Sequence, residues 1–152
     1  MERIASFQVD HDKLEPGLYL SRRDGEVTTF DLRFKKPNTG DLLTNAEMHS
    51  VEHIIATLLR NGRAKDAVIY FGPMGCQTGF YLLVDSRLIT DADAVELVKE
   101  TFAAGAAFEG AMPGYSSVEC GNYINLDTKL AKNQCKAYCQ IIKDWTAEKL
   151  AY

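Results

Sequence analysis

Apolar positions along this 152-residue chain change period several times, and each change predicts an element. From Val27 to Phe34 (VTTFDLRF), Phe30, Leu32 and Phe34 alternate among β-branched and polar neighbours, which predicts a half-buried strand. Pro37, Asn38 and Gly40 then mark a turn. Thr44 and Glu47 form a T-x-x-E capping box, so a helix begins near Asn45, and Gly62 suits its C-terminal stop. Ala67 to Phe71 (AVIYF) and Phe80 to Val84 (FYLLV) read as two strands across a glycine-rich loop, which suggests an antiparallel pair. Thr90 caps a helix running to about Phe108, with Asp91 and Asp93 in its first turn, where negative charge suits the helix dipole. Gly110 to Asn122 is irregular. Asp127 caps a last long helix, on which Ala131, Cys135, Tyr138, Ile142 and Trp145 follow 4-3-4-3 spacing and form one core-facing stripe. Strands and helices without regular βαβ alternation predict an α+β fold, an antiparallel sheet with helices packed against it.

No repeat, low-complexity tract or linker interrupts the chain, so residues 1–152 are expected to form a single domain with a real core. Composition is that of an ordinary globular protein, 46% hydrophobic and 25% charged. The formal net charge of -4, with no basic stripe, argues against nucleic acid as a partner. The first residues, MERIASFQVDHDK, contain no apolar run, and no window approaches the ~18 apolar residues of a membrane span. A cytoplasmic setting is therefore expected. There the four cysteines, Cys76, Cys120, Cys135 and Cys139, remain reduced and serve as thiols, ligands or core residues.

The candidate chemistry begins at His49-Ser50-Val51-Glu52-His53, an H-x-x-E-H pattern inside the first helix. Imidazoles four residues apart share a helix face and can reach one metal ion. Glu52 falls within the same arc, where a carboxylate can move protons beside the metal. Val51, Ile54, Ile55 and Leu58 occupy roughly the opposite side, so the helix needs two covers: its own core, and something that surrounds the metal face. Cys120, in the irregular segment Glu119-Cys120-Gly121-Asn122, is the best third ligand, and His11 competes with it. Three protein ligands with an open fourth position make a catalytic site rather than a structural one. The pattern alone also fits a metallopeptidase, because inverzincins use H-x-x-E-H. A peptidase, however, ordinarily wants a carboxylate as third ligand.

A second feature is Cys76 in the loop Gly72-Pro73-Met74-Gly75-Cys76-Gln77-Thr78-Gly79. So constrained a loop around one thiol suggests a positioned nucleophile or base, favoured as thiolate near positive charge. Cys135 and Cys139 are four apart on the last helix, and core packing is the expected role.

Together these residues resemble the S-ribosylhomocysteine lyase (LuxS) family, which makes the autoinducer-2 precursor. The resemblance covers essentially the whole chain. It is carried by Ser6-Phe7, Asp10-His11, Phe30-Asp31-Leu32-Arg33-Phe34, His49 to His53, Pro73-Met74-Gly75-Cys76-Gln77-Thr78-Gly79 and Cys120-Gly121. It implies that His49, His53 and Cys120 bind one divalent metal per subunit, Fe(II) in the family, with zinc or cobalt also accommodated. It implies Cys76 and Glu52 as the acid–base pair, and Ser6, His11 and Arg33 along the sugar site. The implied substrate is S-ribosylhomocysteine, and the products are homocysteine and 4,5-dihydroxy-2,3-pentanedione. The route is carbonyl migration through enediolates followed by β-elimination, without nicotinamide or flavin. Parts of each pocket would come from a second subunit, so a homodimer with shared sites near its interface is expected, in keeping with the second cover that the metal helix needs. One departure stands out: Ile69-Tyr70-Phe71-Gly72 precedes Pro73, where many relatives carry an acidic residue, so the contact to the amino-acid end of the substrate is left unassigned.

Overall fold

The computed structural model describes all 152 residues. Four strands, β1 (Gly17–Asp24), β2 (Val27–Arg33), β3 (Val68–Pro73) and β4 (Gly79–Asp85), form one antiparallel sheet in the order β1-β2-β4-β3. Three helices, α1 (Asn45–Asn61), α2 (Asp91–Ala106) and α3 (Thr128–Ile142), pack on it. This is the expected α+β arrangement. No helix is long and apolar enough to cross a membrane.

The helix boundaries follow the capping chemistry. Thr44 accepts from the Glu47 amide at the start of α1, Thr90 from the Asp93 amide at α2, and Asp127 from the amides of Lys129 and Leu130 at α3. Each bond satisfies an amide that the first helical turn leaves without a partner. Val51, Ile54, Ile55, Ala131, Cys135, Tyr138 and Ile142 are buried as the stripes require, while Trp145 lies past the end of α3 and is only partly buried. Cys135 is a core residue and Cys139 packs against the core, and all four cysteines are free.

β1 was not anticipated. Only Leu18, Tyr19 and Leu20 give it an apolar run, and its second half is an exposed edge. The readable signal was Gly25, which opens the two-residue hairpin loop Gly25-Glu26 at φ 60°. Two other expectations need correction. β2 is buried along nearly its whole length rather than on one face, because the N-terminal segment and Tyr152 lie against its second face. β3 starts at Val68 and extends to Pro73, and Ile69 and Tyr70 are exposed rather than buried, because the register shifts between Val68 and Tyr70 on this edge strand.

Alternation gives the sheet two unlike faces. Leu18, Phe30, Leu32, Phe80 and Leu82 meet the helices in the main core, together with Phe34 just beyond β2, which stacks on Tyr138 at 4.1 Å. Asp31, Arg33 and Tyr81 point the other way, toward the N-terminal segment and Tyr152. β2 and β4 approach so closely at Gly79 that any Cβ there would collide with the carbonyl oxygen of Leu32.

Candidate metal centre and active site

The outward side of α1 carries His49 and His53, whose rings meet edge to face with centroids 4.6 Å apart. The segment leading into α3 folds back over them, fixed in part by the Asp127 amide donating to the buried Ser50 hydroxyl at 2.9 Å. Cys120 Sγ thereby comes within 3.3 Å of His49 Nε2. One donor atom each from His49, His53 and Cys120 lies within 4.8 Å of the others. The structure thus brings Cys120 to the histidines, whereas His11 lies elsewhere.

Hydrogen bonds at the far sides of the rings test the fit to a metal. His53 Nδ1 is 2.8 Å from the Pro113 carbonyl, which can only accept, so that nitrogen carries the proton and Nε2 keeps its lone pair. His49 Nδ1 is 2.6 Å from Asn125 Oδ1. Metal-bound histidines are held this way. Gly114 turns at φ +70°, and a Cβ there would stand 3.0 Å from the His53 ring, so glycine suits both the backbone and the space. Two imidazoles and a thiol suit zinc, iron or cobalt. Glu52 is half-buried beside this group, in a cavity of about 250 Å³ lined also by His53, Ala56, Thr57, Pro113 and Gly114.

Cys76 sits on the opposite face of the sheet, exposed at the tip of the loop between β3 and β4. Gln77 beside it holds φ 62°, a conformation uncommon outside glycine. Its side chain and backbone both bond to Leu43, at 2.9 Å, and this holds the loop in place. Ser6, His11, Asp31, Arg33, Cys76 and Tyr152 help line a cavity of about 300 Å³, and His11, Cys76 and Thr78 border a second of about 500 Å³. The four residues expected near the sugar and the thiol therefore do come together. Ser6 lies in a single 3-10 turn, and the half-buried His11 bonds through Nδ1 to the Val9 carbonyl at 2.9 Å.

Arg33 is 2% exposed and paired with Asp31, at 0%. Its Nη2 and Nε reach the Asp31 oxygens at 2.5 and 3.1 Å, and its Nη1 reaches Thr78 Oγ1 at 2.7 Å and Cys76 Sγ at 3.9 Å. Burial works against the guanidinium charge, but Asp31 outweighs it, so Arg33 stays charged beside the thiol. Tyr152 donates to Asp31 at 2.7 Å from the other side. Burial, reinforced by the Asp31 charge, pushes the Tyr152 phenol above its ordinary range, so it remains a donor. Asp31, Thr78, Asn125 and Tyr152 were not singled out for these contacts. Asp31 alone carried a signal, as the alternate-position neighbour of Arg33 on one strand face.

Glu52 and Cys76 thus line separate cavities within one chain. The third donor beside the histidines is a thiol, unlike the carboxylate expected of a peptidase. A family profile described as S-Ribosylhomocysteinase (LuxS) matches residues 4–149. The chain belongs to that family. Among its relatives, proteins named S-ribosylhomocysteine lyase from Desulfotalea psychrophila and Finegoldia magna are 49% and 44% identical. The first alignment covers 98% of this chain and 96% of the relative, the second 100% and 99%. One from Clostridium acetobutylicum is 41% identical, over 100% of this chain and 99% of its own. The name denotes a carbon–sulfur lyase, so the chain stands in an enzyme family.

Proposed function

We propose that this protein is a metal-dependent lyase that cleaves S-ribosylhomocysteine to homocysteine and 4,5-dihydroxy-2,3-pentanedione. The observation that carries the reading is the convergence of His49, His53 and Cys120 beside Glu52, in a chain of this family. A divalent ion held by those three side chains, Fe(II) by family resemblance, would supply Lewis acidity to the sugar's carbonyl and enediolate oxygens.

The chain's own groups handle the protons. The thioether leaves poorly until a carbonyl stands β to sulfur, so the carbonyl must migrate from C1 to C2 and then to C3. Each migration removes a proton from the carbon next to the carbonyl and returns one to the neighbouring carbon. Cys76 Sγ and the Glu52 carboxylate are the bases and acids for these transfers on carbon and oxygen. Arg33 places its charged guanidinium beside the Cys76 sulfur and, with Ser6 and His11, positions the sugar. With the ketone at C3, loss of the C4 proton expels homocysteine from C5, and the resulting enol tautomerises to the dione. The substrate's own electrons balance, so no external redox cofactor enters.

Because Glu52 and Cys76 line separate cavities, we further propose a homodimer in which Cys76 of one protomer completes the metal site of its partner. The test is to reconstitute the protein with Fe(II) or Co(II), add S-ribosylhomocysteine and follow free thiol. Stoichiometric release of homocysteine is expected, and a metal-loaded protein that releases none overturns the reading.

A further inference from the structure

We propose that Asn125 is a positioning residue for the metal site. It selects the tautomer of His49 and, with Cys120, clamps that ring at both nitrogens. The inference rests on the reading that His49, His53 and Cys120 hold a metal. His53 is oriented by a backbone carbonyl, whose accepting role is fixed. His49 instead faces a side-chain amide, which can present either oxygen or nitrogen. Only oxygen leaves His49 Nε2 with the lone pair that a metal needs. If Asn125 presented Nδ2, the His49 proton would move to Nε2 and face the Cys120 thiol.

A second contact matches this choice. Asn125 Nδ2 donates to Asn45 Oδ1 at 2.7 Å, with Oδ1 facing His49. Asn45 is the first residue of α1, one turn before His49. The relay therefore runs from the start of the helix, through Asn125, back to the ring four residues on. Asn125 also closes the short 3-10 turn Tyr123–Asn125, only five residues after Cys120. One stretch of chain thus supplies Sγ to one side of the imidazole and Oδ1 to the other. Docking of that stretch and ring orientation become one event. Removing the amide should release both.

The experiment uses the whole chain stripped of metal, with Co(II) titrated against a competing chelator, for wild type, Asn125→Ala, Asn125→Asp and Asn45→Ala. Asn125→Ala is expected to weaken Co(II) binding by roughly 10–100-fold, the usual cost of losing such a support. Asn125→Asp, which can only accept, should bind at least as tightly as wild type, and Asn45→Ala should fall between. A readout that general destabilisation would not move is the tautomer: long-range ¹⁵N spectra of the metal-free protein should show His49 protonated at Nδ1 in wild type and Asn125→Asp, and mixed in Asn125→Ala. Equal Co(II) affinity and an unchanged tautomer in Asn125→Ala overturn the inference. If that variant does not fold, Asn45→Ala decides, and wild-type affinity with an unchanged tautomer there overturns the relay. Failure of wild type to bind Co(II) would instead sink the metal-site reading.

Discussion

Arg33 organises the reactive thiol through contacts that no single residue type announces. Its charge needs Asp31, Asp31 takes a further bond from Tyr152, and the free edge of the guanidinium reaches Thr78 and Cys76. Tyr152→Phe deletes one bond to a buried carboxylate and should cost about 1–2 kcal/mol in urea unfolding, because bonds to charged groups exceed neutral ones. Cys76→Ala and Glu52→Gln should each retain metal while lowering thiol release at least ~100-fold, the scale of a lost proton-transfer group. Near-normal turnover in either removes that residue from the mechanism. His49, Glu52 and His53 were legible because helical spacing alone puts them on one face. Asn125 was not, because its partner lies 76 residues away in sequence and an asparagine after an irregular loop has many possible uses.

At the scale of elements, local chemistry carried the helices and only part of the sheet. Side chains that cap a helix lie within three residues of the amides they serve, so Thr44, Thr90 and Asp127 could be read directly. β1 and the exposure of β3 depend on strand order and on edges, which are set by pairing across distant sequence. Thr44→Ala should destabilise the protein by about 1 kcal/mol in denaturant unfolding, with α1 otherwise intact. On α3, burial pushes the Cys135 thiol up to about 12. In the unfolded chain a thiol ionises near about 8.5. The folded value is the higher, so stability from this group is intact below the unfolded value and declines as pH rises toward the folded one. The stability of wild type relative to Cys135→Ala should therefore drop by about 2 kcal/mol between pH 7 and pH 10. A pH-independent difference would contradict this.

At the scale of the molecule, the two separate cavities make the proposed assembly testable. If Glu52 of one protomer works with Cys76 of the other, mixing Glu52→Gln with Cys76→Ala creates heterodimers in which one site has both groups and the other has neither. With free exchange at equal concentrations, half the dimers are mixed and half of their sites are intact, so about a quarter of wild-type activity should return. If each chain carries its own complete site, nothing returns. Separating the thiol from the metal helix was beyond sequence reading, because loop position along the chain does not say on which sheet face a loop opens.

Gly79 ends the Cys76 loop, and the obstacle its missing side chain avoids is a carbonyl of the neighbouring strand, which no rotamer change can move. Codon 79 is therefore closed to drift: in a saturation library selected only for folded protein, alanine itself should be lost there, while the exposed Gly75, with open space around its Cβ position, should accept many replacements. Freedom to diversify in this loop is thus confined to exposed positions such as Gly75, while the point where the loop joins the sheet stays fixed.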